Sequence, residues 1–256
     1  MADFLAGILD DPRGVALRER EAAFLRANGV TADPLAYLGR PPRCVVLVPE
    51  VLQPHAERVD RDVYTFVGPA VRRPDPEVAW RPPVDRRVLL VSLGTAFTRV
   101  PDFYRRCLVA YGDRPDWHVV LQVGQHVTRD ELTRDAPLPG NVEVHPWVPQ
   151  REILEHADAF VTHAGMGGSA EGMVTGTPMI AVPQDFDQFD NADALVAAGV
   201  AVRLDAATAT PDELRTALEA VTAPEVVARS QEVAADIARG GGADRAVEVV
   251  ESFLPG

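Results

Sequence analysis

The sequence predicts a doubly wound α/β domain on a parallel six-stranded sheet, preceded by a partial segment of different character. Three observations carry this. From Val88 onward, short β-branched runs alternate with amphipathic stretches at helical spacing. Gly or Pro punctuation closes each helical stretch. The most informative polar residues fall just after strands, where an open parallel sheet places its ligand.

In chain order, a charged helix is expected over Pro12 to Asn28, then strands at Cys44 to Val48 and Val63 to Val67. Two strands and a helix are too little to bury an independent core. Pro69, Pro74, Pro76, Pro82 and Pro83 then mark an extended linker up to Arg87. The expected division is residues 1–70 as the tail of one domain, 71–87 as a linker and 88–256 as a whole second domain. Six strands follow at Val88 to Ser92, His118 to Val123, Val142 to Pro146, Ala159 to His163, Pro178 to Val182 and Val200 to Leu204. Helical stretches lie between them at Asp102 to Tyr111, Arg151 to His156, Ser169 to Val174 and Ala192 to Ala198. After Thr210 the pattern is helical, broken at Gly240, Gly241 and Gly242.

Composition narrows the function classes. The 256 residues carry a formal charge of −13 and their basic residues are all Arg, without a basic run, so a general nucleic-acid or anionic-membrane surface is not expected. No uninterrupted apolar stretch is long enough for a membrane span, and Met1 to Gly14 lacks the layout of a signal peptide. A cytoplasmic protein is the expectation. Cys44 and Cys107 have no metal-ligand spacing and read as apolar fillers.

Four strand-end loops hold the candidate site. In the first, Ser92, Gly94 and Thr95 offer hydroxyls and a close backbone turn to phosphate oxygens. In the second, Trp147, Val148, Pro149 and Gln150 offer an aromatic face and an amide for a base; the competing reading of Trp147 is a buried core residue. The third runs from His163 through Gly165, Met166, Gly167, Gly168 and Ser169 into a helix carrying Glu171. Free amides at such a helix start form an anion site, and His163 adds a donor. A carboxylate repels a diphosphate but suits paired ribose hydroxyls, which assigns Glu171 to the sugar of a nucleotide. From Glu152 to Val202 there is no Arg or Lys, so a diphosphate would be held by amides, hydroxyls, a helix dipole and protonated His163. In the fourth loop, Asp187 and Gln188 suit sugar hydroxyls. Asp185-Phe186-Asp187 has the outline of an Asp-x-Asp metal motif, but the surroundings do not match that fold and no metal is expected.

Together these residues resemble the donor-binding domain of UDP-dependent glycosyltransferases of the two-domain GT-B architecture, nearest the bacterial macrolide glycosyltransferases. The matching pieces are Trp147-Val-Pro-Gln150, Thr162-His-Ala-Gly-Met-Gly167, Glu171 and Asp187-Gln188, with Glu171 eight positions after His163 and Gln188 17 after Glu171. The 16-residue gap from Trp147 to His163 suits the bacterial branch. The resemblance implies a Rossmann-like domain, the C-terminal half of a GT-B fold, with Val63 to Gly68 as the last strand of the first half. It implies that Trp147 stacks on uracil with Val148 and Gln150 beside it, and that Glu171 holds the ribose. Ser92, Gly94, Thr95, His163 and the backbone from Gly165 to Ser169 would cradle the diphosphate, while Asp187 and Gln188 would hold the sugar. One departure is Gly168, where the family carries Ser or Thr.

The implied activity is inverting transfer of a hexose from a UDP-sugar or dTDP-sugar, with UDP-glucose first, to a natural-product hydroxyl such as a macrolide's, without a cofactor. The family's catalytic base, a His in the acceptor domain, has no counterpart among the six histidines; His55 reads as an exposed loop residue. The acceptor site is therefore expected on an absent N-terminal domain or partner chain, and no catalytic residue is assigned. Two other readings remain open: the donor-binding subunit of a two-chain transferase, and a non-catalytic sugar-nucleotide binder.

Overall fold

A computed structural model describes residues 11–34, 43–53, 55–75, 77–78, 80–95 and 98–254. Met1 to Asp10 and Pro76, which enter the readings above, lie outside the described residues. The chain forms two compact units, one of residues 1–45 and 60–65, the other of 46–59 and 66–256. The stretch expected as a linker belongs to the larger unit.

In the smaller unit, α1 (Pro12–Ala27) starts on Asp11, whose carboxylate accepts from the Arg13 amide, with Pro12 at the first helical position. Strands β1 (Cys44–Val46) and β2 (Tyr64–Phe66) pair, with the Cys44 amide donating to the Val63 carbonyl.

The larger unit contains β3 (Arg87–Ser92), α2 (Pro101–Tyr111), β4 (Trp117–Gln122), α3 (Arg129–Leu132), β5 (Val142–His145), α4 (Gln150–Leu154) and β6 (Ala159–Thr162). There follow α5 (Met166–Thr175), β7 (Met179–Ala181), α6 (Gln188–Ala197), β8 (Ala201–Arg203), α7 (Pro211–Val221), α8 (Pro224–Arg239) and α9 (Gly242–Glu251). All six expected strands form, in the order β5-β4-β3-β6-β7-β8, and every pairing is parallel. This order reverses direction between β3 and β6. At such a reversal the loops leaving the two strands diverge and open a crevice at the strands' carboxyl ends.

The sheet is buried on both faces, which is why its strands read as unbroken apolar runs. Leu89 and Val91 of β3 join Phe103, Tyr104 and Tyr111 of α2 and Leu214 and Leu218 of α7 on one face. Val88 and Leu90 join Ile153, Phe160, Met173 and Leu195 on the other. Asn141 ties the β4 entrance by donating to the carbonyls of Tyr111, Arg114 and Trp117. A reciprocal Thr210–Glu213 capping box starts α7. Cys107 is the buried apolar filler expected, its thiol pushed up by burial, whereas Cys44 is half-buried. No described helix is long and apolar enough to cross a membrane.

Candidate functional site

The loops leaving β3, β5 and β6 meet in a cavity of about 260 Å³. Its wall includes Gly94, Thr95, Trp147, Val148, Gln150, His163, Gly168 and Glu171, eight residues singled out by the sequence. Trp147 is 64% exposed, which removes the core reading of this residue. The Gln150 side chain donates through Nε2 to Glu171 Oε2 at 2.7 Å, so the amide assigned to the base and the carboxylate assigned to the ribose hold each other. Pro149 occupies the N-cap position of α4.

His163 is packed between two glycines. A Cβ on Gly94 would stand 2.7 Å from its Cε1, and one on Gly165 would stand 2.4 Å from its Nε2. Gly94 also has a φ of +76°, which a side chain disfavours. Between His163 and Gly165, Ala164 is buried in a left-handed conformation at φ +59°. Such a conformation costs an L-residue about 1–2 kcal/mol and persists where neighbours impose it. Thr162 Oγ1 accepts from the Ala164 amide and Asn191 Nδ2 donates to the Ala164 carbonyl, fixing the turn on both sides. The turn delivers the chain into α5, whose N-cap, Gly165, has no capping side chain, so the first amides of the helix are left for an anion.

Burial pushes the His163 imidazole below its ordinary value, and the nearby Asp187 carboxylate opposes the shift without cancelling it. Burial thus disfavours the charged ring in the free chain; the expected protonated His163 concerns the ring beside a bound diphosphate. Its Nδ1 is buried without a protein partner. A diphosphate bound beside the ring would supply the missing countercharge, raise the imidazole pKa and make binding take up a proton between the free and bound values. Affinity for a nucleoside diphosphate ester is thus expected to rise as pH falls through the bound-state value and to level off below the free value. His163→Gln should flatten that profile in calorimetric titrations. A pH-independent parent chain would remove His163 from the phosphates. For the empty chain the sign is opposite in consequence: unfolded His163 binds a proton more readily, so stability falls as pH drops below about 6.5.

Several predicted residues stand elsewhere. Ser92 is buried and its hydroxyl accepts from Gln122 Nε2, so it serves the sheet and not the cavity. Ser169 is fully buried with its hydroxyl enclosed, because the helical turn carries it past the opening and into the core. It does not replace the hydroxyl that Gly168 lacks; a Cβ at 168 would meet Thr162 Oγ1 at 3.3 Å and Gln150 Nε2 at 3.6 Å. Met166 packs against the core, leaving its backbone to the helix start. Asp187, the N-cap of α6, and Gln188, its first residue, are outside the cavity wall. Asp187 Oδ2 accepts from Asn191, and Gln188 Oε1 accepts from the amides of Gln184 and Asp185, which shapes the loop around a left-handed Phe186. Among the described residues no group of His, Cys, Asp and Glu is arranged to hold a metal ion. His55 is an exposed loop residue, as expected.

Three wall residues were missed by sequence reasoning: Gln122, Arg151 and Arg72. Gln122 ends the buried β4; a polar residue closing an apolar strand was the available signal. Arg151 follows Gln150 and is buried beside Glu155, with which it forms an ion pair. Arg72 comes from the stretch before the sheet and carries no local signal. Both cations lie outside the Glu152–Val202 stretch that has no Arg or Lys. A second cavity of similar volume, lined by Val51, Phe66, Val67, Val233 and Ile237 among others, contains none of the strand-end loops.

A family model described as UDP-glucoronosyl and UDP-glucosyl transferase matches residues 77–230. The chain belongs to this family. Within it, the oleandomycin glycosyltransferase of Streptomyces antibioticus is 53% identical over 245 residues, 95% of this chain and 56% of that protein. The NDP-glycosyltransferase YjiC of Bacillus subtilis (strain 168) is 33% identical over 244 residues, 93% of this chain and 61% of that protein. The chain thus spans somewhat more than half the length of these relatives. Among solved structures, the glycotransferase of kitacinnamycin superposes with a TM-score of 0.88 at 43% identity, covering all of this chain and 66% of its own. The calicheamicin glycosyltransferase CalG4 gives 0.80 at 32% identity, covering 96% of this chain and 62% of its own. The larger unit is the Rossmann-like, C-terminal half of this family's GT-B fold, as the strand pattern and the loop motifs predicted.

Proposed function

We propose that this chain binds a nucleoside-diphosphate sugar, UDP-glucose first, and presents its anomeric carbon for inverting transfer to a hydroxyl of a natural product such as a macrolide. The carrying observation is the Gln150–Glu171 hydrogen bond within a cavity that also has Trp147 at its wall and the His163 turn beside it. It orders three kinds of chemistry along one ligand. The exposed Trp147 ring takes the base, Glu171 accepts from the ribose hydroxyls, and Thr95, His163 and the α5 amides take the diphosphate.

In the transfer step the acceptor oxygen bonds to the anomeric carbon while the bond from that carbon to the diphosphate oxygen breaks. Charge then grows on the departing diphosphate, where the α5 amides and the imidazole of His163 would donate to it. These groups belong to a leaving-group site that requires no cofactor. The acceptor proton goes to a base outside this cavity, on the part that brings the acceptor. Asp187 and Gln188 complete the reading by holding sugar hydroxyls from the start of α6. The acceptor would be supplied by an N-terminal domain or partner chain, in the cytoplasm.

Calorimetry with UDP and UDP-glucose tests this directly. Trp147→Ala should weaken UDP by about 1–3 kcal/mol, the range of a base–aromatic stack, with little change in melting temperature because the ring is largely exposed. Glu171→Ala should also weaken UDP. A parent chain that binds no nucleotide would end the proposal, and unaltered binding in both variants would move the site elsewhere.

A further inference from the structure

Arg72 enters the cavity wall from outside the strand-end loops. Its side chain is 61% exposed, yet it is anchored: NH2 donates to Glu152 Oε1 at 2.6 Å. Glu152 is a buried partner, with a side chain only 4% exposed, and the same oxygen also accepts from the Asp75 amide at 3.0 Å. Burial pushes this carboxyl up, but the Asp75 amide and the Arg72 guanidinium outweigh it and hold Glu152 ionised. The other oxygen, Oε2, is buried without a protein partner. A charge in that position is costly unless paired, so Arg72 is held to its place by more than a surface ion pair supplies.

That anchor lies two residues beyond Gln150, so Arg72 is tied to α4, the helix that begins with the residue assigned to the base, and it shares the cavity wall with Trp147 and Gln150. A guanidinium has five N–H donors and no acceptor, and Glu152 engages one nitrogen. Its remaining donors are available to acceptors of a ligand in that cavity, and its tie to α4 favours the base. Uracil and thymine both present a carbonyl oxygen at C4, whereas cytosine presents an amino donor there.

We propose that Arg72 is a specificity-determining residue that donates to the C4 carbonyl of a pyrimidine dione stacked on Trp147. It thereby selects uridine and thymidine diphosphates over cytidine diphosphate. The inference rests on the donor-site reading above. Arg72 does not separate UDP from dTDP, whose bases share that carbonyl. The competing role is purely structural, with the Arg72–Glu152 pair pinning residues 72–75 to α4.

Calorimetry on the full chain with UDP, CDP and inorganic pyrophosphate separates these roles. Arg72→Met should weaken UDP about tenfold, leave CDP and pyrophosphate within about twofold, and so collapse the UDP-to-CDP preference. Because that variant strands the Glu152 charge, the double variant Arg72→Met/Glu152→Met, which replaces the pair with apolar side chains, must give the same collapse at a retained melting temperature. An unchanged preference in a folded variant overturns the proposal in favour of pinning. Equal losses for UDP, CDP and pyrophosphate overturn it in favour of a general phosphate attraction. Failure of the parent chain to bind any nucleotide overturns the donor site itself, a distinct result from binding that ignores Arg72.

Discussion

Gly165→Ala should cost this chain at least about 30-fold in affinity for a UDP-sugar, through the imidazole next to it. The backbone at Gly165 is extended, with φ −63° and ψ 145°, so alanine is not strained there. The added methyl, however, would stand 2.4 Å from His163 Nε2 and 3.0 Å from Cε1, so the ring must leave. It cannot lean towards β3, because Gly94 already approaches so closely that a Cβ there would lie 2.7 Å from the ring. Removing a donor to a charged group costs about 1.5–3 kcal/mol, and the methyl also blocks the approach to the α5 amides. Gly94→Ala should show a similar loss of binding with a larger fall in melting temperature, since its φ of +76° adds backbone strain to the collision. The two variants are compared by UDP-glucose calorimetry and thermal unfolding. Wild-type affinity in Gly165→Ala would show that His163 does not face the diphosphate.

The unequal legibility of this site follows from how each residue acts. Strands β3 to β8 were readable because a sheet buried on both faces needs apolar runs, and Gly and Pro must interrupt them where the chain turns. Trp147, Gln150, His163 and Glu171 were readable because the cavity wall of an open parallel sheet is built from the loops at the strands' carboxyl ends and the helix starts that follow them. Burial was harder to foresee. Ser92 and Ser169 carry the same hydroxyl as a phosphate-binding serine, and only the packing around β3 and the rotation of α5 shows that both are enclosed. The His163 charge state depended on the same unseen burial. Arg72 was invisible for another reason: it reaches Glu152 across 80 positions from a stretch whose prolines announce nothing beyond an extended path.

Gln122 shows what the missed residues do, and Gln122→Leu is expected to lower stability by about 3 kcal/mol, on the order of 10 °C in melting temperature. The residue is 4% exposed at the end of β4. Its Nε2 donates to Ser92 Oγ at 3.1 Å and to the Gly94 carbonyl at 3.3 Å, and its Oε1 accepts from the Val148 amide at 3.0 Å. One amide group therefore spans the loop after β3, which carries Gly94 and Thr95, and the loop after β5, which carries Trp147 and Gln150. Leucine retains the volume but leaves the Val148 N–H in a buried place without an acceptor, the costly kind of deletion. Because the loops proposed to hold the phosphates and the base are joined here, the loss should extend to UDP binding without any direct contact. Gln122→Glu distinguishes spacing from hydrogen bonding: it keeps the acceptor for Val148 and loses the donor to Ser92 and Gly94. Its binding should suffer chiefly with pyrophosphate, whereas Gln122→Leu should weaken UDP and pyrophosphate together. Equal melting temperatures for Gln122→Leu and the parent chain would show that the two loops are held in place by their own turns, and that Gln122 merely fills the space between them.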